Sequence, residues 1–115
     1  MFEFEINEHS PYLWINLKGK LISNDDATKM MEDISSLASK KNNILIINLK
    51  DLTYINSSGF NNFLKLLTIS RNLSGDTILC NINKNINQLL ITTKLNTIFN
   101  IEETINDIEQ YINKK

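Results

Sequence analysis

Apolar and polar residues alternate at the start of the chain, with Phe2, Phe4 and Ile6 set against Glu3, Glu5 and Asn7. A period of two predicts a strand with one buried face. His9-Ser10-Pro11 reads as a turn. Leu13, Ile15 and Leu17 resume the alternation between Tyr12 and Lys18, so the first two strands are expected to pair as a hairpin ending at Gly19. From Ser23 the period lengthens: Ala27, Met30, Met31, Ile34, Leu37 and Ala38 fall at helical spacing. They follow Ser23, Asn24, Asp25 and Asp26, residue types that suit a helix N-terminus.

Ile44 to Leu49 is a short run rich in branched residues, expected as a strand buried on both faces. A second apolar piece, Leu52 to Ile55, leads into Asn56-Ser57-Ser58-Gly59. Phe60, Phe63, Leu64 and Leu67 then mark an amphipathic helix running to about Leu73, with Ser74-Gly75 as its stop. Thr77 to Ile82 reads as a strand; Ile86, Leu89, Leu90 and Thr93 predict a third helix. Thr97 to Ile101 reads as a last strand, and Ile105, Ile108, Tyr111 and Ile112 as a final helix. Strands alternating with helices after a hairpin predict an α/β fold: a mixed, mainly parallel sheet of about five strands with about four helices, joined by right-handed crossovers. Ile46, Leu49, Phe63, Leu64, Leu67, Leu79 and Leu90 are the expected core. Binding sites of such sheets collect at the carboxyl ends of the strands, and the junction from Ile55 to Phe60 is one such place.

The length of 115 residues suits one domain, 1–115, large enough to fold without disulfides or metals. Twelve Lys and Arg against thirteen Asp and Glu leave a net charge of -1, which supplies no general attraction to nucleic acid or anionic lipid. The lone cysteine, Cys80, has no internal partner for a disulfide. No apolar run is long enough to span a membrane, and the start of the chain lacks the pattern of a signal peptide. The expectation is a cytoplasmic protein without membrane insertion or direct nucleic-acid binding.

The usual catalytic constellations lack their residues. His9 is the single histidine and belongs to the predicted hairpin turn, so it reads as a solvated turn residue rather than a general base. Cys80 falls in an interior strand with no cation nearby in sequence, which suits a small buried hydrophobe better than a thiolate. One His and one Cys do not make a zinc site, and no glycine-rich phosphate loop is present. Asp25-Asp26, Glu32-Asp33 and Glu102-Glu103 are explained by helix dipoles and solvation. Residues 40 to 94 hold two acids and seven bases; Lys50, Lys65, Arg71 and Lys84 among them read as a solvated surface. Neither a catalytic residue, a metal nor a cofactor is expected. In Asn56-Ser57-Ser58-Gly59-Phe60 an N-cap accounts for one polar side chain. It leaves a second hydroxyl where a strand end, a loop and a helix dipole meet, and that makes the segment the candidate site.

These residues resemble the STAS domain of bacterial anti-sigma factor antagonists. The family pattern is an apolar strand, a short connector and Asp-Ser-Ser-Gly-Leu opening a helix; here it is Ile44 to Leu49, Lys50 to Ile55 and Asn56-Ser57-Ser58-Gly59-Phe60. Leu17-Lys18-Gly19-Lys20-Leu21 is similar to the family's second-strand ending, Ser74-Gly75 to its glycine break, and Lys94-Leu95 to Phe99 to its approach to the last strand. The likeness extends over nearly the whole chain. It departs at Asn56, which keeps an acceptor for the helix but lacks the acidic charge, and near Ile22 or Ser23, where the family carries an acidic residue.

The resemblance implies a module that acts by occupancy rather than turnover. Ser57 is implied as the phosphoacceptor, and Asn56, Ser57, Ser58, Gly59 and Phe60 as the partner-binding switch segment. The implied partners are an anti-sigma factor that is also a serine kinase, and a serine phosphatase that reverses the modification; the free protein is expected to be a monomer. Binding the anti-sigma factor would free a sigma factor to start transcription. Two alternatives stand beside this: a STAS module that binds without being phosphorylated, and a STAS subunit of a membrane transporter.

Overall fold

The computed structural model describes residues 1–105 and 108–113. Five strands form one sheet in the order of the chain: β1 (Phe2–His9), β2 (Tyr12–Leu21), β3 (Ile44–Ile55), β4 (Asp76–Cys80) and β5 (Asn100–Glu102). β1 and β2 are antiparallel, and every later pairing is parallel. The helices are α1 (Asn24–Leu37), α2 (Ser57–Asn72), α3 (Lys84–Thr93) and α4 (Ile108–Asn113). The mixed, mainly parallel α/β architecture opening on a hairpin is thus the one the periodicities predict.

The two faces of the sheet carry different cores. Leu13, Ile15, Leu17, Leu45, Ile47, Leu49 and Leu79 pack with Ala27, Met30 and Ile34 of α1, Phe60, Phe63, Leu66 and Leu67 of α2, and Ile86 and Leu90 of α3. Tyr12, Trp14, Ile46, Ile78 and Cys80 form a smaller cluster with Ile105 and Ile108 at the start of α4. Strand residues alternate between these clusters because successive side chains point to opposite faces. Each large aliphatic side chain so buried contributes roughly 1.5–3 kcal/mol.

A row of amides crosses the sheet on the α4 side. Asn48 donates to Oδ1 of Asn16 at 2.7 Å, and Asn81 donates to Oδ1 of Asn48 at 2.7 Å. Asn81 also exchanges side-chain bonds with the backbone of Ile105, donating to its carbonyl at 2.8 Å and accepting from its N–H at 3.1 Å. Its own N–H donates to the carbonyl of Glu103 at 3.1 Å. Asn81 has a left-handed backbone, φ 57°, a conformation Asn tolerates better than most residues. It therefore ends β4 at Cys80 and fixes the chain leading to α4.

Several boundaries differ from the expectations. β2 runs past Gly19 to Leu21, and the two apolar pieces after Asn43 form the single strand β3, which absorbs Lys50 and Asp51 through register irregularities against β2. β4 stops at Cys80 rather than Ile82 because Asn81 turns the chain. Leu95–Thr97 is a 3-10 turn following a left-handed Lys94, so β5 is only Asn100–Glu102. His9 belongs to β1, leaving Ser10 and Pro11 as the turn. Leu64 is half-buried at the edge of the α2 face, whereas the other six expected core residues are buried. Of the expected last helix, Asn106 and Asp107 lie outside the described residues, and Ile105 precedes α4 as a buried anchor.

Candidate functional site

The segment Asn56–Phe60 joins the carboxyl end of β3 to α2, and each of its residues has a distinct physical task. Asn56 is the N-cap: its Oδ1 accepts from the N–H of Gly59 at 2.8 Å, and its carbonyl accepts from the N–H of Phe60 at 2.9 Å. Its N–H donates to the carbonyl of Leu21 at 3.4 Å, tying the loop to the end of β2. Gly59 is required by close approach, since a Cβ there would lie 2.4 Å from the Leu21 carbonyl oxygen. Ile55 and Phe60 flank the cap and both enter the main core, an arrangement that sets the angle at which the chain enters the helix. The Phe60 ring stands 5.3 Å from Phe63 and 5.8 Å, edge-on, from Phe99.

Ser57 and Ser58 remain exposed on this pinned frame. They occupy the first two helical positions, and neither hydroxyl enters a hydrogen bond among the described residues. The first turn of α2 carries no acidic residue, while α1 has Asp25 and Asp26 in the same place. A negative group added at Ser57 therefore meets the positive end of the helix dipole without a carboxylate in its own first turn. Beside the family's acidic position, the Asp26 carboxylate accepts from the N–H groups of Ser23, at 3.3 Å, and Ile22, at 3.4 Å, within a capping box at the start of α1.

The remaining candidates stay apart from this site. His9 pairs with Tyr12, whose parallel partner Ile44 opens β3, so it lies at the end of the sheet opposite Ile55. Cys80 is fully buried on the α4 face, and burial, helped by the nearby Glu102 carboxylate, pushes its thiol up to about 12. Arg71 pairs with Asp76 at 3.4 Å and donates to the Ile98 carbonyl at 2.9 Å, and Lys84 borders a hollow shared with Glu102 and Glu103. Lys50 and Lys65 are exposed. Among the described residues no group of three or more His, Cys, Asp or Glu is placed to hold a metal, and no helix is long and apolar enough to cross a membrane.

The periodicity did not single out Tyr54. It is 48% exposed on β3 and, with Ile55, Ile86 and Leu89, lines a hollow of about 500 Å³ between the end of β3 and α3. Its place in a short apolar run disguises it as a core residue; the polar Thr53 beside it, between the buried Leu52 and Ile55, is the one sign that part of this stretch faces solvent.

The family profile described as STAS domain matches residues 3–108, and the chain belongs to that family. A solved structure of a candidate anti-sigma factor antagonist from Thermotoga maritima is similar with a TM-score of 0.80 and 17% identity, over 96% of this chain and 94% of that one. The unphosphorylated anti-sigma factor antagonist SpoIIAA is similar with a TM-score of 0.74 and 18% identity, over 97% and 96%. The phosphorylated form of SpoIIAA, a Bacillus cell fate determinant, gives 0.72 at 17% identity, over 97% and 98%. Part of the murine solute carrier 26 family member A9 anion transporter is similar too, with a TM-score of 0.72 and 11% identity, over 95% of this chain and 19% of that one. No curated protein matches the sequence. At these identities the structural likenesses speak for the fold, which is that of SpoIIAA.

Proposed function

We propose that this protein is an anti-sigma factor antagonist that binds an anti-sigma factor with serine kinase activity, frees a sigma factor, and is switched off by phosphorylation of Ser57. The observation that carries this reading is the exposed Ser57 at the first position of α2, on a loop held rigid by Asn56, Gly59 and Phe60 in a STAS fold. Asn56, Ser57, Ser58, Gly59 and Phe60 form the switch segment, with the buried members shaping it and the two serines facing the partner. A serine phosphatase resets it.

The physics of the switch follows from the site. A phosphate of about -1.5 to -2 charge at a helix N-terminus is favoured by roughly 0.3–2 kcal/mol, so the modified domain stays folded. In a docked interface the same charge loses water without a prepared cation, at a cost of roughly 2–5 kcal/mol. That corresponds to about 30- to 3,000-fold in affinity. Release of the partner is the readout. The neutral Asn56 suits this role, because it keeps the cap while adding no charge that would repel the phosphate.

The test is a binding titration of wild type, Ser57→Ala and Ser57→Asp against the kinase partner captured from the native host. Ser57→Ala binds as wild type does, and Ser57→Asp loses the partner. Equal binding by both variants would mean a constitutive binding module, and a membrane ATPase or anion-transport complex in place of a kinase would mean a transporter subunit.

A further inference from the structure

β1 is an outer strand of the sheet, hydrogen-bonded to β2 and to no other strand among the described residues. An open strand edge of this length is a template for another strand. Its two faces differ sharply in chemistry. Phe2, Phe4 and Ile6 sit half-buried against the core on the α1 side, where a hollow of about 540 Å³ is lined by Phe4, Glu5, Ile6, Asp33, Ser36 and Leu37. The opposite face presents the exposed Glu3 and Glu5, and the hollow of about 420 Å³ beside them includes Asn16, Lys18 and Asp51. Lys18, which stands opposite Glu3 in the β1–β2 register, borders that hollow, while Asp33 on the other face is paired with Lys29 at 3.1 Å. The strand as a whole carries Glu3, Glu5 and Glu8 and neither Lys nor Arg.

We propose that the open edge of β1 takes up a basic, extended segment of a partner protein as an added strand. Backbone hydrogen bonds would supply the attachment, and alternate side chains the selection. Apolar side chains of the segment enter the hollow against Phe4, Ile6 and Leu37, and its Lys or Arg side chains meet Glu3 and Glu5. Oppositely charged neighbours across strands stabilise a pairing, and like charges destabilise it. A second copy of β1 would bring its own Glu3, Glu5 and Glu8 against these carboxylates, so the same charges that favour a basic segment oppose self-pairing. The surface lies on the outer strand, two strands away from β3 and the Ser57 loop, and the inference stands independently of the switch reading.

The probe is a synthetic peptide of alternating valine and lysine, as long as β1, titrated into the full chain and followed by backbone NMR and amide hydrogen exchange. Two control peptides are used, one with the same residues in separate valine and lysine blocks and one alternating valine with glutamate. The alternating Val-Lys peptide is expected to bind best and to protect the outward-facing amides of β1. The double variant Glu3→Gln/Glu5→Gln, altered only at exposed positions and setting no like charge opposite Lys18, should keep its circular dichroism yet bind about tenfold more weakly. Equal binding of the block peptide, protection centred on α2, or no binding at all would overturn the proposal. Protection of β1 that grows with protein concentration in the absence of peptide would also overturn it, because the occupant would then be a second copy.

Discussion

Gly59 and Leu21 meet so closely that any side chain at Gly59 would strike the Leu21 carbonyl, with a Cβ 2.4 Å from its oxygen. The obstacle is backbone, so it cannot rotate away as a side chain would. The first turn of α2 is thereby pressed onto the end of β2, and the exposed serines inherit a fixed position from a buried contact.

Gly59→Ala is therefore expected to lower stability by about 1–3 kcal/mol, the usual range for overpacking a tight site. Urea unfolding followed by circular dichroism checks this. A variant as stable as wild type would show that the two elements separate at little cost.

Asn56→Ala removes the acceptor for the Gly59 N–H and should cost about 1 kcal/mol. Asn56→Asp keeps an acceptor and adds a charge that the helix dipole favours, so its urea midpoint should equal or exceed that of wild type. A loss in the Asp variant comparable to that in the Ala variant would contradict the cap assignment.

Asn81→Ala breaks bonds to Asn48 and to both backbone groups of Ile105. The expected loss is about 1–3 kcal/mol, because the N–H and carbonyl of the buried Ile105 are left unpaired. Hydrogen exchange at the amides of α4 should quicken more than at those of α2, since Asn81 holds the chain that enters α4. Uniform acceleration would mean that the amide row serves the whole sheet alike.

Cys80 should be inert to thiol reagents at neutral pH until the protein unfolds. Its thiol is raised from an ordinary value of 9.0 to about 12 by burial first and by Glu102 second. In the unfolded chain the proton leaves as pH rises through about 9, while the folded protein holds it to about 12. The folded state then binds more protons, so this group's contribution to stability falls as pH rises across that window. The stability of wild type relative to Cys80→Ala, measured by denaturant titration, should decline from pH 9 upward; a constant difference would contradict it.

The order of elements was legible because each strand and helix imposes its own period on the apolar residues, as in Phe2–Ile6 and Phe60–Leu67. The ends were less legible where one residue's backbone decides them. Asn81 and Lys94 both adopt left-handed conformations that periodicity does not register. Lys50 and Asp51 appeared to divide a strand that in fact continues through them by a shift in register. At the candidate site the N-cap was readable from residue types, but the Leu21 contact behind Gly59 and the exposure of Tyr54 arise only when β2, β3 and α3 come together.

In the proposed switch, Ser57 carries a phosphate that governs a kinase partner. Affinity purification of the tagged protein from its native host, with mass spectrometry of both the co-purifying proteins and the Ser57 peptide, reads both halves at once. The expected result is a serine kinase of the anti-sigma type bound to the unmodified protein, and phosphate on Ser57 in the pool that lacks it. The same partner bound with no phosphate on Ser57 under any growth condition, or transporter components in its place, would contradict it.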